Sequence, residues 1–406
     1  MLPHCEPSAL SQASGSGHSP ARRRLLVNAA AFAAAAGCGR AMATSQAAAS
    51  NTAQIGDVIR LGQSLALTGP LGELGKVIHQ GSRACFEAVN AQGGIHGRRI
   101  ELIGKDDGYD VAHSVANTKT FLADPDVFAL FSPLGTPMIE ALLPLIRNTD
   151  MPCFAPLTGA TSARPADMRN VFNVTPSYPE EAERQVEHLA TIGIRKIAIA
   201  YQSNSFGREI VQAVEAAAKK HKVTLAAAVP VQSDASDAGA AAAKIAAAAP
   251  EAVLLGLAGK PTIGFIKAIR AEKKGLPLYA LSVMGSAATL AALGKDAYGI
   301  AVTQVVPLPT NAVVPVVRDF QQAWRDSGST LDPSHIALWG YINARVFVEA
   351  LRRSGRNLTR KSFIESAWGL RRLDLGGYDV SFDQPGRNAS RFVELTMISH
   401  AGKFIR

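Results

Sequence analysis

The chain has 406 residues, 47% of them hydrophobic and 18% charged, which is enough apolar sequence for two globular domains and excludes general disorder. Its net charge of +9 comes from Lys and Arg spread along the sequence, without the basic block or aromatic-basic alternation of a nucleic-acid binder. The four cysteines show no metal-ligand spacing.

The chain opens with the layout of an export signal. Ser11 to Ser19 is Ser/Gly-rich, Arg22-Arg23-Arg24-Leu25-Leu26 fits a twin-arginine pattern, and Leu25 to Gly39 is a short Ala-rich apolar run. That run is too short and weak for a membrane span, which needs about 20 apolar residues. Ala41-Met42-Ala43 is an A-x-A cleavage site, so residues 1–43 are expected to be removed and residues 44–54 to form a flexible mature N-terminus. Ala35-Ala36-Gly37-Cys38 is a rival, lipoprotein-like signal with a lipid anchor at Cys38. Cleavage after Ala43 takes away four Arg and one Glu and lowers the net charge from +9 to +6. It leaves Cys85 and Cys153, both read as buried small hydrophobes.

From Ile59 onward, strand-like runs alternate with amphipathic helices, the pattern of an α/β chain with mostly parallel sheets. Ile59 to Leu67 is a predicted strand, Leu74 to Ala91 a helix stopped by Gly93-Gly94, and Ile100 to Lys105 a strand. Asp106-Asp107 reads as turn and cap chemistry, since no His or second acidic cluster accompanies it, and Asp110 caps a helix from Val111 to Leu122. The run Phe128 to Met138 is strand, turn and helix start, with Thr136 as N-cap, Pro137 in the first helical position and Glu140 near the positive helix end. Such an end can bind an anion through free amides and the helix dipole. A helix follows to about Asn148, then a strand at Cys153 to Ala155, a loop of small and hydroxyl residues from Pro156 to Ser162, and a strand at Val171 to Val174.

Thr175-Pro176 marks a crossing into a second α/β series. Its predicted helices are Glu180 to Ile192, Arg208 to His221, Ala240 to Ala248 and Thr262 to Lys274. Its strands are Lys196 to Tyr201, Leu225 to Pro230, Ala252 to Gly256 and Leu278 to Leu281, and the series runs to about Val305. Gly256 to Thr262 fails as a phosphate-binding loop, because Leu254 stands where a Gly is needed and Pro261 replaces Ser or Thr. Pro307-Leu308-Pro309 suggests a second crossing. Helices at Val314 to Ser327, Ser334 to Ser354 and Thr359 to Ala367 follow, and the chain ends in a hairpin-like pair, Tyr378 to Phe382 and Phe392 to Ser399. No nucleophile elbow, H-E-x-x-H, CxxC or dinucleotide fingerprint occurs, and the histidines are scattered, so no enzyme or cofactor motif is present.

Leu67-Thr68-Gly69-Pro70, Asn90 to Arg98, Asp106-Asp107, Tyr201 to Gly207 and Leu375 to Tyr378 fall in one order across nearly the whole mature chain. In that order the chain resembles the type I periplasmic binding proteins of the leucine/isoleucine/valine-binding family. The resemblance implies two Rossmann-like lobes joined by three crossing strands, a ligand held in the cleft by hinge closure, and delivery to an ABC permease in the inner membrane. It also implies lobes of residues 55–176 with 308–375 and of 177–307 with 376–406, a monomer, no cofactor and no metal. The positions that hold the ligand carboxylate in the family match Gly135-Thr136 and Leu157-Thr158-Gly159, and Thr68 of the first turn is taken with them. An aromatic from the second lobe matches Phe206. The acid that recognises an α-ammonium should fall near Val283-Met284-Gly285, where none stands, and a flanking aromatic is replaced by Leu74. These departures favour an organic acid or other mostly apolar carboxylate over a free α-amino acid, with Met284 lining the site. Two other classes stay open: an exported hydrolase using Asp106 or Asp107, and a sensor subunit reporting ligand occupancy to a membrane kinase.

Overall fold

The computed structural model describes residues 56–406. The leader, its cleavage site and the proposed flexible N-terminus lie outside the described residues.

The first series contains β1 (Val58–Leu65), α1 (Gly72–Ala91), β2 (Arg99–Asp106), α2 (Val111–Ala123), β3 (Val127–Phe131), α3 (Thr136–Ile146), β4 (Cys153–Phe154) and β5 (Val171–Phe172). The second contains α4 (Tyr178–Thr191), β6 (Lys196–Gln202), α5 (Ser205–His221), β7 (Thr224–Val231), α6 (Ala238–Ala247), β8 (Ala252–Gly256), α7 (Lys260–Glu272), β9 (Leu278–Ala280), α8 (Ala287–Leu293) and β10 (Ala301–Gln304). Then come α9 (Pro315–Asp326), α10 (His335–Arg353), α11 (Arg360–Trp368), the small strands β11 (Leu373–Asp374) and β12 (Asp379–Val380), and finally β13 (Glu394–Ile398) and β14 (Phe404–Ile405).

These strands form two large sheets and a two-stranded ribbon of β11 with β12. One has the order β2-β1-β3-β4-β5, all parallel. The other has the order β14-β13-β10-β9-β8-β6-β7, with β6 to β10 parallel and the last two strands antiparallel. Strands covered by helices on both faces read as unbroken apolar runs, as Val127–Phe131 and Ala252–Gly256 do, every residue of each being buried. Pro230 cannot donate to a ladder, and β7 accommodates it as the outermost strand.

Around the first sheet the core is aromatic. Phe154 meets Phe347 of α10 edge to face at 5.1 Å, and Phe86 of α1 meets Phe131 at 5.2 Å. The second core is smaller and mostly aliphatic, with Val253, Leu255, Ile269, Val302 and Ile398 around a single buried phenylalanine, Phe265. Cys85 and Cys153 are free and buried, and burial pushes both thiols up to about 12, so they act as small hydrophobes as expected.

Between the sheets the chain passes three times, and the passages are cross-braced. Asn173 and Asn388 form a parallel bridge, and the Tyr378 hydroxyl donates to the Val305 carbonyl at 3.1 Å.

Several sequence expectations need correction. The terminal hairpin is β13 with β14, whereas Asp379–Val380 pairs with Leu373–Asp374. Phe382 packs on Phe154, Phe172 and Trp368, so the stretch up to Phe382 lies against the first sheet and not in the second lobe. Strand β10 and helix α8 were not separated in the sequence. Thr136 is the first helical residue and Gly135 the N-cap, so Pro137 is second. The reason is the Gly135 backbone, whose φ of 103° leaves the helical region and favours glycine.

Candidate functional site

The carboxyl ends of a parallel sheet are where such folds place ligands. At those ends of the first sheet stand three non-glycine residues in the left-handed region: Tyr109 after β2 (φ 64°), Ser132 after β3 (φ 46°) and Ala155 after β4 (φ 53°). Strained backbone of this kind costs about 1–3 kcal/mol each and clusters at functional sites.

At the centre of this rim two loops run side by side. Leu157 donates its amide to the Pro133 carbonyl at 2.8 Å, and Gly135 donates to the Leu157 carbonyl at 3.3 Å. This pairing sets the Thr136 and Thr158 hydroxyl oxygens 2.7 Å apart, with both residues 1% exposed. Thr158 Oγ1 also accepts from the Ala160 amide at 3.1 Å. The start of α3 adds the amides that any helix leaves unpaired and the positive end of its dipole.

Behind the second loop lies Arg164, a buried cation that sequence reading passed over. Its guanidinium donates to the carbonyls of Thr158 (3.2 Å), Ala160 (2.8 Å), Thr175 (3.1 Å) and Pro176 (3.2 Å). Burial lowers its pKa to about 10, which still leaves it charged at neutral pH. The four carbonyls fix its position behind the hydroxyl-bearing loop, and the carboxylates of Glu180, Glu209 and Glu181 act on its charge from nearby.

Elements of the second sheet close over this rim. Tyr178 donates its amide to the Gly159 carbonyl at 2.7 Å, and its ring fills the space a side chain at Gly159 would need. Its phenol lies 3.4 Å from Thr158 Oγ1, and Phe206 stacks on it edge to face at 5.5 Å. Tyr109 covers Gly135, where a Cβ would lie 2.8 Å from Tyr109 Cε2, and reaches the Asn204 side chain before α5. Glu209 of α5 accepts from the Thr161 and Ser162 amides at 3.1 Å each, while Glu140 of α3 accepts from the Ser162 hydroxyl at 2.8 Å. Gly259, after β8, abuts the Pro70 carbonyl.

Gly135, Thr136, Leu157, Thr158 and Gly159 therefore converge on one rim, and Phe206 comes near it through Tyr178. Thr68 is placed otherwise. Its hydroxyl donates to Asp106 at 2.6 Å, and the residue is exposed. Met284 packs into the second core, and Leu74 is buried in the first.

Asp106 closes this turn by accepting also from the amides of Leu67, Thr68 and Gly108. Burial pushes its carboxyl up, but the Thr68 hydroxyl and the three amides outweigh it and hold the pKa at about 2. Asp107 is buried, which raises its pKa, and it accepts from Ser64 Oγ at 2.8 Å and the Tyr109 amide at 3.0 Å. Both acids thus serve the turn.

Tyr178, Arg164 and Glu209 were missed because each acts from a different element. The one local signal was Ser177 to Glu180, a capping box that starts α4 with Tyr178 as its first residue. A wide depression of about 800 Å³, lined by Lys267, Arg270, Lys274, Lys295 and Tyr298, lies at the opposite, amino-terminal ends of β9 and β10. Arg270 there is held by the carbonyls of Lys274, Leu276, Asp296 and Tyr298, a structural role.

Comparison with known proteins gives a consistent picture. A family profile described as periplasmic binding protein matches residues 58–403. The curated Leu/Ile/Val-binding protein homolog 7 of Brucella abortus is 22% identical over 355 residues, covering 81% of this chain and 86% of the relative. Among solved structures, a substrate-binding periplasmic protein from Ralstonia solanacearum superposes with a TM-score of 0.81 at 30% identity, covering 86% of this chain and 99% of that one. A possible leucine/isoleucine/valine-binding protein from Rhodopirellula baltica gives 0.79 at 27% identity, covering 86% and 96%.

Proposed function

The chain belongs to the periplasmic binding protein family, and from that premise we propose that it captures a small carboxylate between its lobes in the periplasm and delivers it to an ABC permease. The observation that carries the reading is the Thr136–Thr158 hydroxyl pair at a helix start, with the Arg164 guanidinium behind it. Two hydroxyls, helix amides and a buried cation suit an anion with two oxygens. Tyr178, Phe206 and Tyr109 supply aromatic walls for an apolar body.

Two of the similar proteins are named for leucine, isoleucine and valine, amino acids that carry a carboxylate of this kind. An α-ammonium, however, needs an acid near Val283 to Gly285. Glu181 does reach this turn, but it accepts from the Ser282 amide at 2.9 Å, the Ser282 hydroxyl at 3.0 Å and the Thr303 hydroxyl at 2.6 Å, which supports an organic acid as ligand.

Calorimetric titration with organic acids and α-amino acids tests the proposal on the wild type and Thr136→Val. At least one small carboxylate should bind the wild type, and the loss of one hydrogen bond of about 1–1.5 kcal/mol should weaken it roughly five- to tenfold in the variant. Binding of no carboxylate, or equal affinity in the variant, overturns the reading.

A further inference from the structure

His335, Trp339 and Asn343 recur every four residues along one side of α10. The other side is closed against α1, where the Ser82 hydroxyl donates to the Gly340 carbonyl at 3.1 Å and a side chain on Gly340 would overlap the Ile78 carbonyl. At one end of the stripe Asn343 donates to Ser132 Oγ, 3.3 Å away on the strained turn after β3. At the other end His335 meets elements of the second sheet. Its ring stands edge to face with Phe404 at 4.8 Å, and a Cβ built on Gly285 would lie 3.8 Å from both His335 Cβ and Gln304 Oε1. The stripe thus links the rim of the first sheet to the turn after β9, beside the passage that leaves β10.

Its polar atoms are buried. His335 is 2% exposed, Gln304 0% and Trp339 4%, yet both His335 ring nitrogens, Trp339 Nε1 and Gln304 Oε1 have no hydrogen-bond partner among the described residues. Asn343 Oδ1 shares that state. Buried polar atoms are paired in the great majority of cases, so a group of orphans from two lobes needs a cause.

The chemistry of the missing partner follows from the donors and acceptors. Thr396 gives its hydroxyl hydrogen to the Val302 carbonyl at 2.9 Å, so it can only accept from Gln304 Nε2, at 3.3 Å. That fixes the amide and leaves Gln304 Oε1, on the side of Gly285 and His335, in need of a donor. Trp339 Nε1 is a donor and needs an acceptor. Burial lowers the His335 pKa to about 3, so the neutral ring offers one donor and one acceptor. An ammonium group satisfies Gln304 and leaves Trp339 unmet, and a second carboxylate does the reverse. A hydroxyl or primary amide serves both. Glu394 lies across the ladder from Gln304 with Oε2 unpartnered, but Arg406 Nε holds its Oε1 at 2.7 Å and balances its charge.

We infer that Gln304, His335 and Trp339 form a second polar subsite, which selects carboxylates bearing a neutral hydroxyl or amide at the end remote from the Thr136–Thr158 anchor. The inference rests on the carboxylate reading above.

The test is calorimetric titration of 4-hydroxybutyrate against butyrate, 6-hydroxyhexanoate against hexanoate, and 4-hydroxybenzoate against benzoate. The proteins are the wild type, Gln304→Met, which keeps the side-chain length, and Thr136→Val, with circular dichroism confirming the fold of each. In at least one pair the hydroxylated member should bind the wild type about tenfold more tightly, the worth of roughly one hydrogen bond. Gln304→Met should cut that preference to within about twofold, and Thr136→Val should weaken both members alike. Equal affinity within every pair, or a preference that survives in Gln304→Met, overturns the subsite even where Thr136→Val still weakens both members. Failure of the anchor reading is separate: Thr136→Val then leaves both affinities unchanged while the hydroxyl preference persists. No binding by any of the six acids overturns both.

Discussion

Replacing Glu209 by Ala removes a carboxylate that accepts two backbone hydrogen bonds, from Thr161 and Ser162, each 3.1 Å long. Glu209 belongs to α5, which follows β6 of the second sheet, and its partners belong to the loop that carries Thr158. The contact therefore exists only while the lobes are together. A hydrogen bond to a charged group contributes about 1.5–3 kcal/mol, and because Glu209 is half-buried we discount the pair to roughly 2 kcal/mol in total. Closure should weaken by that amount, about thirtyfold in the open–closed equilibrium, and apparent ligand affinity should fall with it, chiefly through faster release. Glu209→Gln, which keeps one neutral acceptor, should lose about half as much free energy. Small-angle scattering with saturating and limiting ligand reads closure, and stopped-flow displacement reads release. Affinity and compaction within twofold of wild type in Glu209→Ala would refute the assignment of this contact as a closing latch.

Arg164→Met keeps the buried stem and leaves four carbonyls without a donor, so chemical denaturation should show a loss of about 3 kcal/mol or more, and carboxylate affinity should fall beyond what the unfolded fraction explains. Wild-type stability in that variant would show the cation to be dispensable. Glu181 carries a pH signature. Burial raises its carboxyl from 4.5 to about 7 against the opposing hydrogen bonds of Thr303 and Ser282. Between those values the unfolded chain ionises while the folded protein stays protonated, so stability falls as pH rises through the window, by roughly 3 kcal/mol. Glu181→Gln lacks this component, and its melting temperature relative to wild type should climb from pH 4.5 to 7; a constant difference would contradict the assignment.

Much of the architecture was legible because its signals are local. Ala252–Gly256 is an apolar run bounded by Pro250 and Gly256, and Asp110 sits one residue before a helix whose His113 amide it accepts. What depends on partners distant in sequence was not. Asp379–Val380 has the composition of a hairpin strand, but its partner is Leu373–Asp374, and only the packing of Phe382 on Phe154 and Phe172 decides which sheet it joins. Thr136-Pro137 reads as cap and first residue by propensity, and the φ of Gly135 moves both one place along the helix. At the site, residues of the two hydroxyl-bearing turns could be named from their loops. Arg164, Tyr178 and Glu209 could not, since a single Arg, Tyr or Glu beside a turn has no one-dimensional mark that it will reach across to another element.

Native mass spectrometry of the protein purified without denaturation tests the central claim most directly, because a closed cleft retains what it has captured. The account predicts an added mass in the small-molecule range, released on denaturation, identified as a carboxylic acid by fragmentation and depleted in preparations of Thr136→Val. A retained ligand without a carboxylate, or retention undiminished in Thr136→Val, would contradict it.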